Sequence, residues 1–226
     1  MMNRIAIAAI TFAVLQVRAA DTPSLFGAGD NWMNFVLGKP KTSALLAVSK
    51  NNPDYKFVEA EFDRIRTNYA AAKVVRPTLH VPFQVHVDAA LRLFPHYRFY
   101  VLCWDEEAVD KQNPPVGMGL GLYYTLALGA DGEIRRFQGT GNFEEFGKFL
   151  SDAKVALKTS EDAKLVWNAF CEIHRRDWAS HPSERISEKE WRLGKEVAYG
   201  FDRFYRVSTT TNGICASARF EAIRVK

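Results

Sequence analysis

The clearest alternation of apolar and polar positions runs through residues 116–128, where Val116, Met118, Leu120, Leu122, Tyr124, Leu126 and Leu128 fall on one side. Gly117, Gly119, Gly121, Tyr123, Thr125 and Ala127 fall on the other. A period of two marks a β-strand, and at about 3.3 Å per residue this one would run some 40 Å, so a bend or bulge is expected at the glycines. Ala130-Asp131-Gly132 then turns the chain into a second strand over 133–138. Residues 97–104 form a dense aromatic and aliphatic run suited to a buried strand, closed by the acidic stretch Asp105-Glu106-Glu107. Further upstream, Val81, Phe83, Val85 and Val87 alternate with His80, Gln84, His86 and Asp88, and Pro82 limits that run to an edge strand or a bent extended segment.

Helical spacing appears elsewhere. Val58, Phe62, Ile65, Tyr69 and Ala72 step by four and three, which predicts a helix over 55–73 with Asp54 as its N-cap. Asn142 and Glu145 resemble a capping box ahead of the stripe Phe143, Phe146, Leu150, Ala153 and Leu157. Thr159 or Ser160 caps the next helix, whose stripe is Val166, Ala169, Phe170 and Ile173. Residues 176–196 are polar, broken by Pro182 and Gly194, and read as a long excursion with at most one helical turn. Asn212-Gly213 predicts a terminal hairpin with a two-residue turn. That turn sets Tyr205 opposite Phe220, Val207 opposite Ala218 and Thr209 opposite Ala216 on an apolar face, with Arg206 opposite Arg219 and Ser208 opposite Ser217 on the other.

Together these elements predict an α+β fold, a curved antiparallel sheet of about five or six strands with helices packed mainly on one face. The layout is similar in plan to cystatin-like and nuclear-transport-factor-like folds, a likeness of architecture that implies no activity.

The N-terminus changes the setting. Arg4, the apolar run over 5–17 and the ending Val17-Arg18-Ala19 have the form of a cleavable signal peptide over residues 1–19. As a helix that run would span about 20 Å against a hydrocarbon core of roughly 30 Å, so it is too short for a membrane anchor. Residues 20–226 then form a single exported α+β domain, secreted or periplasmic, with no membrane span after cleavage. Its first part, about 20–75, is expected to be helical, including a short helix from Asp30 through Leu37.

Lys and Arg number 30 against 26 Asp and Glu in the 226 residues, and removing Arg4 and Arg18 leaves 28 against 26. The basic residues are interleaved with acids throughout, so nucleic acid is not an expected partner. Export would also permit a disulfide: with three cysteines, Cys103, Cys171 and Cys215, one bridge and one spare thiol is the expected arithmetic.

Several residue groups are candidates for chemistry. Gly117, Gly119 and Gly121 do not make a dinucleotide fingerprint, because the third glycine would stand at 122, where the chain has Leu122. Their missing side chains leave either a groove walled by Tyr123, a candidate binding surface, or room for a close-packed helix. Cys171 and His174 share a helix face with Trp167 and Trp178, and a thiol beside an imidazole is how a cysteine nucleophile is activated. His80 and His86 would sit about 20 Å apart along a strand, too far to share an ion, and His86 with Asp88 gives only two ligands, so no metal or cofactor is expected. Arg206 opposite Arg219 asks for a compensating anion, either Glu221 on the diagonal or a ligand. Asp105, Glu106, Glu107 and Asp110 are expected to form an acidic surface loop. The leading expectation is an exported, non-catalytic module that binds a small molecule or a protein through Gly117, Gly119, Gly121, Tyr123, Arg206 and Arg219. The alternative is a secreted hydrolase using Cys171 and His174.

Overall fold

The computed structural model describes residues 46–79, 82–85, 87–114, 122–138, 143–175, 180–198 and 200–224, all within one compact unit, Pro40–Lys226. The signal-peptide segment, the 30–37 helix, the three glycines at 117, 119 and 121, His80, His86, Asn142 and Trp178 lie outside the described residues.

Chain order runs β1 (Leu46–Ala47), α1 (Tyr55–Ala72), β2 (Val75–Leu79), β3 (Phe83–Val85), α2 (Asp88–Leu93), β4 (Tyr97–Ala108), β5 (Leu122–Gly129) and β6 (Ile134–Gln138). It continues through α3 (Glu144–Asp152), α4 (Ser160–His174), β7 (Glu184–Ser187), β8 (Glu190–Ala198), β9 (Phe201–Thr209) and β10 (Cys215–Arg224). The expected α+β class holds. The strands, however, form two antiparallel sheets: six strands in the order β1-β3-β4-β5-β6, with β2 also on β4, and four in the order β10-β9-β8-β7. Helices cover both faces of the first sheet, which corrects the expectation of helices mainly on one face.

Alternation along β5 explains the layers. Tyr124, Leu126 and Leu128 join Tyr100 and Leu102 in a core sealed by Val58, Phe62 and Ile65 of α1. Thr125 and Ala127 point the other way, and the Thr125 hydroxyl donates to the Ile173 carbonyl of α4 at 2.5 Å. On this side Phe94, which follows α2, stacks on Phe149 of α3 with centroids 3.8 Å apart. Phe170 of α4 reaches Tyr205 of the second sheet at 4.8 Å. Helices α3 and α4 therefore lie between the two sheets.

Charged side chains fasten α1 to its sheet. Glu61, 3 % exposed, accepts from Arg136, from Arg64 at 2.9 Å and from the Tyr124 hydroxyl at 2.9 Å. Burial opposes ionisation of Glu61, but these three donors outweigh it and hold the carboxyl down at about 2. Asp54 was expected to cap α1, yet no side-chain cap bond forms. Its carboxylate is instead held by Arg98 at 2.5 and 2.9 Å and by Tyr100, across the helix–sheet boundary. The two-residue grip of a guanidinium and a phenol outcompetes a local N–H.

Further differences from the sequence expectations have plain causes. The acidic stretch does not close β4: Asp105, Glu106 and Glu107 lie within the strand, paired with Thr78, Pro77 and Arg76 of β2, and Glu106 accepts from the Tyr69 hydroxyl. Strand β3 is not an edge, since it pairs β1 and β4, and Pro82 stands just before it where no ladder N–H is lost. Asp88 opens α2 rather than continuing a strand. That short helix lacks its own side-chain cap, and Glu172 of α4 accepts from Ala89 N–H at 3.2 Å and Ala90 N–H at 2.9 Å in its place. Helix α3 starts at Glu144 with Phe143 as N-cap and no side-chain cap bond. Thr159 caps α4 through a full capping box with Asp162.

The expected 176–196 excursion is the largest correction, because residues 184–187 and 190–198 are the hairpin β7–β8. Trp191 and Leu193 alternate with Glu190 and Arg192, and the first pair is buried against α4. Gly194 does not break the strand. It sits at a register shift between Leu193 and Glu196 with φ +64°, a bulge that lets the Trp167 ring fill the space a side chain would need.

The terminal hairpin keeps the expected pairs Tyr205↔Phe220, Val207↔Ala218, Arg206↔Arg219 and Ser208↔Ser217. Its turn differs. Thr210 N–H donates to Ile214 C=O at 2.8 Å and Gly213, at φ +74°, donates to Thr210 C=O at 2.9 Å, so the loop holds three residues. This slides the register by one, and Thr209 faces Cys215 instead of Ala216. A bulge at Ala216 then restores the offset for the rest of the strand.

Candidate functional site

The second sheet turns one face toward α3 and α4 and carries a charged grid on the other. Strand pairing places Glu190, Ser208 and Ser217 in one cross-strand row and Arg192, Arg206 and Arg219 in the next. Arg206, at the middle of this grid, makes a forked contact with Glu190, both distances 2.8 Å, and reaches Glu221 at 3.5 Å. Arg219 donates to the other oxygen of Glu221 at 2.7 Å. The like charges at Arg206 and Arg219 are thus compensated by Glu221 lying between them, the internal answer of the two expected. Hydrogen bonding to the Glu190 carboxylate keeps the Arg206 guanidinium firmly charged.

Helix α3 approaches this strand pair from the side. Its apolar stripe, Phe146, Phe149 and Leu150, is buried between the sheets. The polar face, with Glu144, Lys148 and Ser151 one helical turn apart, looks toward β10. Gly147 makes the approach possible: a Cβ there would sit 2.7 Å from the Ala218 carbonyl oxygen and 2.9 Å from the Ala218 Cβ. Tyr205 ties the same junction by donating to the Phe143 carbonyl at 2.8 Å.

Between α3 and the strands lies an open groove of about 570 Å³. Lys148, Arg206 and Arg219 line it with three cations, Glu144, Asp152 and Glu190 with three acids, and Ser151, Ser208 and Ser217 with three hydroxyls. Asp152 also holds Arg135 at 2.6 Å. Such a wall offers donors and acceptors in balance, and it suits a polar guest with charges of both signs more than a simple anion. A second hollow, near 510 Å³, is lined by Asn52, Gln84, Arg98 and Tyr100 around Asp54. There the carboxylate is already engaged by Arg98 and Tyr100.

The other expected site residues fall elsewhere. Tyr123 is half-buried and its hydroxyl donates to the His174 carbonyl at 3.4 Å, so α4 covers that face of β5 at Tyr123. Cys171 is 3 % exposed and His174 fully buried, with the imidazole among Phe137, Phe143, Phe146 and Phe170 at centroid distances of 4.5 to 6.1 Å. The pair sits inside the core, away from both hollows. No disulfide joins the cysteines, contrary to the expected bridge, and all three are buried. Cys103 and Cys215 stand on different sheets, and burial pushes each thiol up to about 12. The acidic positions Asp105 to Glu107 form no separate loop. Among the described residues no group of three or more metal-ligating side chains converges, and no helix is long and apolar enough to cross a membrane.

The hairpin register brings Arg206, Arg219, Ser208 and Ser217 together from the sequence alone, whereas Glu190, Lys148 and Gly147 join them only in the folded chain. The signal for Lys148 was available in the polar face Glu144, Lys148, Ser151. Glu190 is hidden because the sequence predicts an excursion where its strand β8 lies. The chain matches no protein-family model, no curated protein and no solved structure.

Proposed function

We propose that the chain is an exported, non-catalytic binding module whose ligand is a small polar molecule bearing both positive and negative groups. The observation that carries the proposal is the α3–β10 groove, where three cations, three carboxylates and three hydroxyls share one open surface held on rigid elements. Burial of Cys171 and His174 in an aromatic core supports binding over hydrolysis, since a nucleophile and its base must reach the substrate. The apolar run over 5–17 ahead of Ala19 supports export.

The groove is tested by following thermal unfolding with a panel of free amino acids, dipeptides and hydroxycarboxylates at millimolar concentration. A groove ligand raises the midpoint of the native chain and loses that effect in Arg219→Ala and Ser208→Ala, which leave the buried face untouched. Stabilisation that survives both variants, or none across the panel, rules the groove out. Export is tested separately by sequencing the N-terminus of the accumulated protein, with Ala20 expected first.

A further inference from the structure

Among the described residues strand β10 ends its sheet, and the direction of its backbone groups follows from the register. Thr209 N–H donates to Lys189 C=O at 2.8 Å, so Thr209 faces β8 and Ser208 faces β10. Ser208 pairs with Ser217, and beyond the Ala216 bulge the even-numbered residues Ala218, Phe220, Ala222 and Arg224 turn their N–H and C=O groups away from β9. The odd-numbered residues spend theirs on β9.

The outer edge is occupied at its start. Cys215 N–H donates to Val155 C=O at 2.9 Å, Leu157 N–H donates to Gly213 C=O at 2.8 Å, and Gly147 lies against Ala218. From Phe220 onward no described residue pairs with it. Unpaired edges are normally blunted by proline, lysine, a bulge or an inward charge, and residues 220–224 carry none of the first three. Ile223 is 48 % exposed on this stretch, and Val197, 68 % exposed, lies in the same cross-strand row through Asp202.

We propose that this edge pairs with β10 of a second copy of the chain. A two-fold axis perpendicular to the sheet requires partners of equal parity, and the even residues alone have outward groups. Centring the axis on Ala222 satisfies both conditions: Ala222 meets its own copy, and Phe220 meets Arg224 of the second copy. All three residues then find partners, giving about six new hydrogen bonds. The smallest side chain stands at the axis, where the copies come closest. Arg224 is carried beside Phe220, whose ring packs on Phe143 at 5.1 Å and lies under the Arg203 guanidinium at 5.7 Å, and Ile223 is carried beside the second copy's Glu221. Centring on Phe220 is blocked, because Ala218 would need the edge that Gly147 covers.

Two substitutions test the pairing in the full chain by sedimentation equilibrium. Ala222→Pro removes an N–H that β9 does not use, so the hairpin is kept while the two bonds at the axis are lost, and the dimer dissociation constant rises about tenfold or more. Ala222→Cys places two thiols across a hydrogen-bonded pair about 5.5 Å apart, close enough to join, and oxidation yields a covalent dimer. Ser217→Cys, on the same strand where its edge is occupied, yields none. The proposal is overturned if the native chain sediments as a monomer at every concentration, if Ala222→Pro leaves the dimer unchanged with its unfolding midpoint intact, or if Ala222→Cys stays monomeric on oxidation. Should Ala222→Pro lose its fold, the cysteine pair decides alone.

Discussion

Gly194 is the position where one methyl group should cost most. Its φ of +64° is a left-handed conformation, which costs an alanine roughly 1–2 kcal/mol. A Cβ there would also fall within the Trp167 ring, overlapping Cζ2, Cε2 and Cη2. That ring is 2 % exposed and stacked on Phe170 at 4.9 Å and 12°, and Phe170 in turn packs on Tyr205. Relief requires the ring to move by more than about 1 Å in a close-packed core, an overpacking cost of about 1–3 kcal/mol. Gly194→Ala should therefore lose about 2–5 kcal/mol, a large share of the roughly 5–15 kcal/mol typical of a folded domain. At about 2–4 °C per kcal/mol for a chain of this size, the unfolding midpoint should fall by about 4–20 °C. Gly200→Ala is the matched control, since φ is +78° and nothing lies within 4 Å of its added carbon. It should lose only the backbone part, about 1–2 kcal/mol. Urea or thermal unfolding of both variants measures the difference, and equal stability of the two would refute the packing of Trp167 into the β8 bulge.

Acid and thiol reagents probe other parts of the same core. Glu61 has a folded carboxyl near 2 against an ordinary 4.5, so its contribution is present above pH 4.5 and is lost as pH falls from there toward 2. That contribution is on the order of 3 kcal/mol, and Glu61→Gln should flatten the stability profile measured by urea unfolding across that window. An unchanged slope would mean the cluster of Arg136, Arg64 and Tyr124 does not hold the ionised form. Cys103, Cys171 and Cys215 should all resist alkylation in the native chain near neutral pH and all react after denaturation without reductant. A single fast-labelling native thiol would reopen the nucleophile alternative, and fewer than three after denaturation would show a bridge.

Much of the fold was legible because local periodicity and burial agree. Helix α1, strands β5 and β6 and helix α4 with its Thr159 cap follow from spacing that the tertiary structure respects. The β9–β10 register came out right over most of its length through two offsets that cancel, a three-residue loop and a bulge at Ala216, and only Thr209 betrays them by facing Cys215. The second sheet was hidden for a different reason. Strand β8 contains a glycine and four charged residues, and its strand character comes from what packs on it, Trp167 on one side and β9 along its edge. Asp54 shows the same limit, since a residue suited to capping was drawn away by Arg98 and Tyr100, 44 and 46 positions further along the chain. At the candidate site, the strand residues were readable from register, but the groove exists because Gly147 admits α3 to β10. That closeness belongs to no local pattern.

The most direct measurement is amide chemical-shift mapping of the ¹⁵N-labelled chain against a zwitterionic dipeptide and the other stabilising panel members. Binding in the α3–β10 groove predicts concentration-dependent shifts at Gly147, Ser208, Ser217 and Arg219, absent in Arg219→Ala. Shifts clustered instead around Asp54 and Arg98, or no shifts at all, would contradict the groove as the binding surface.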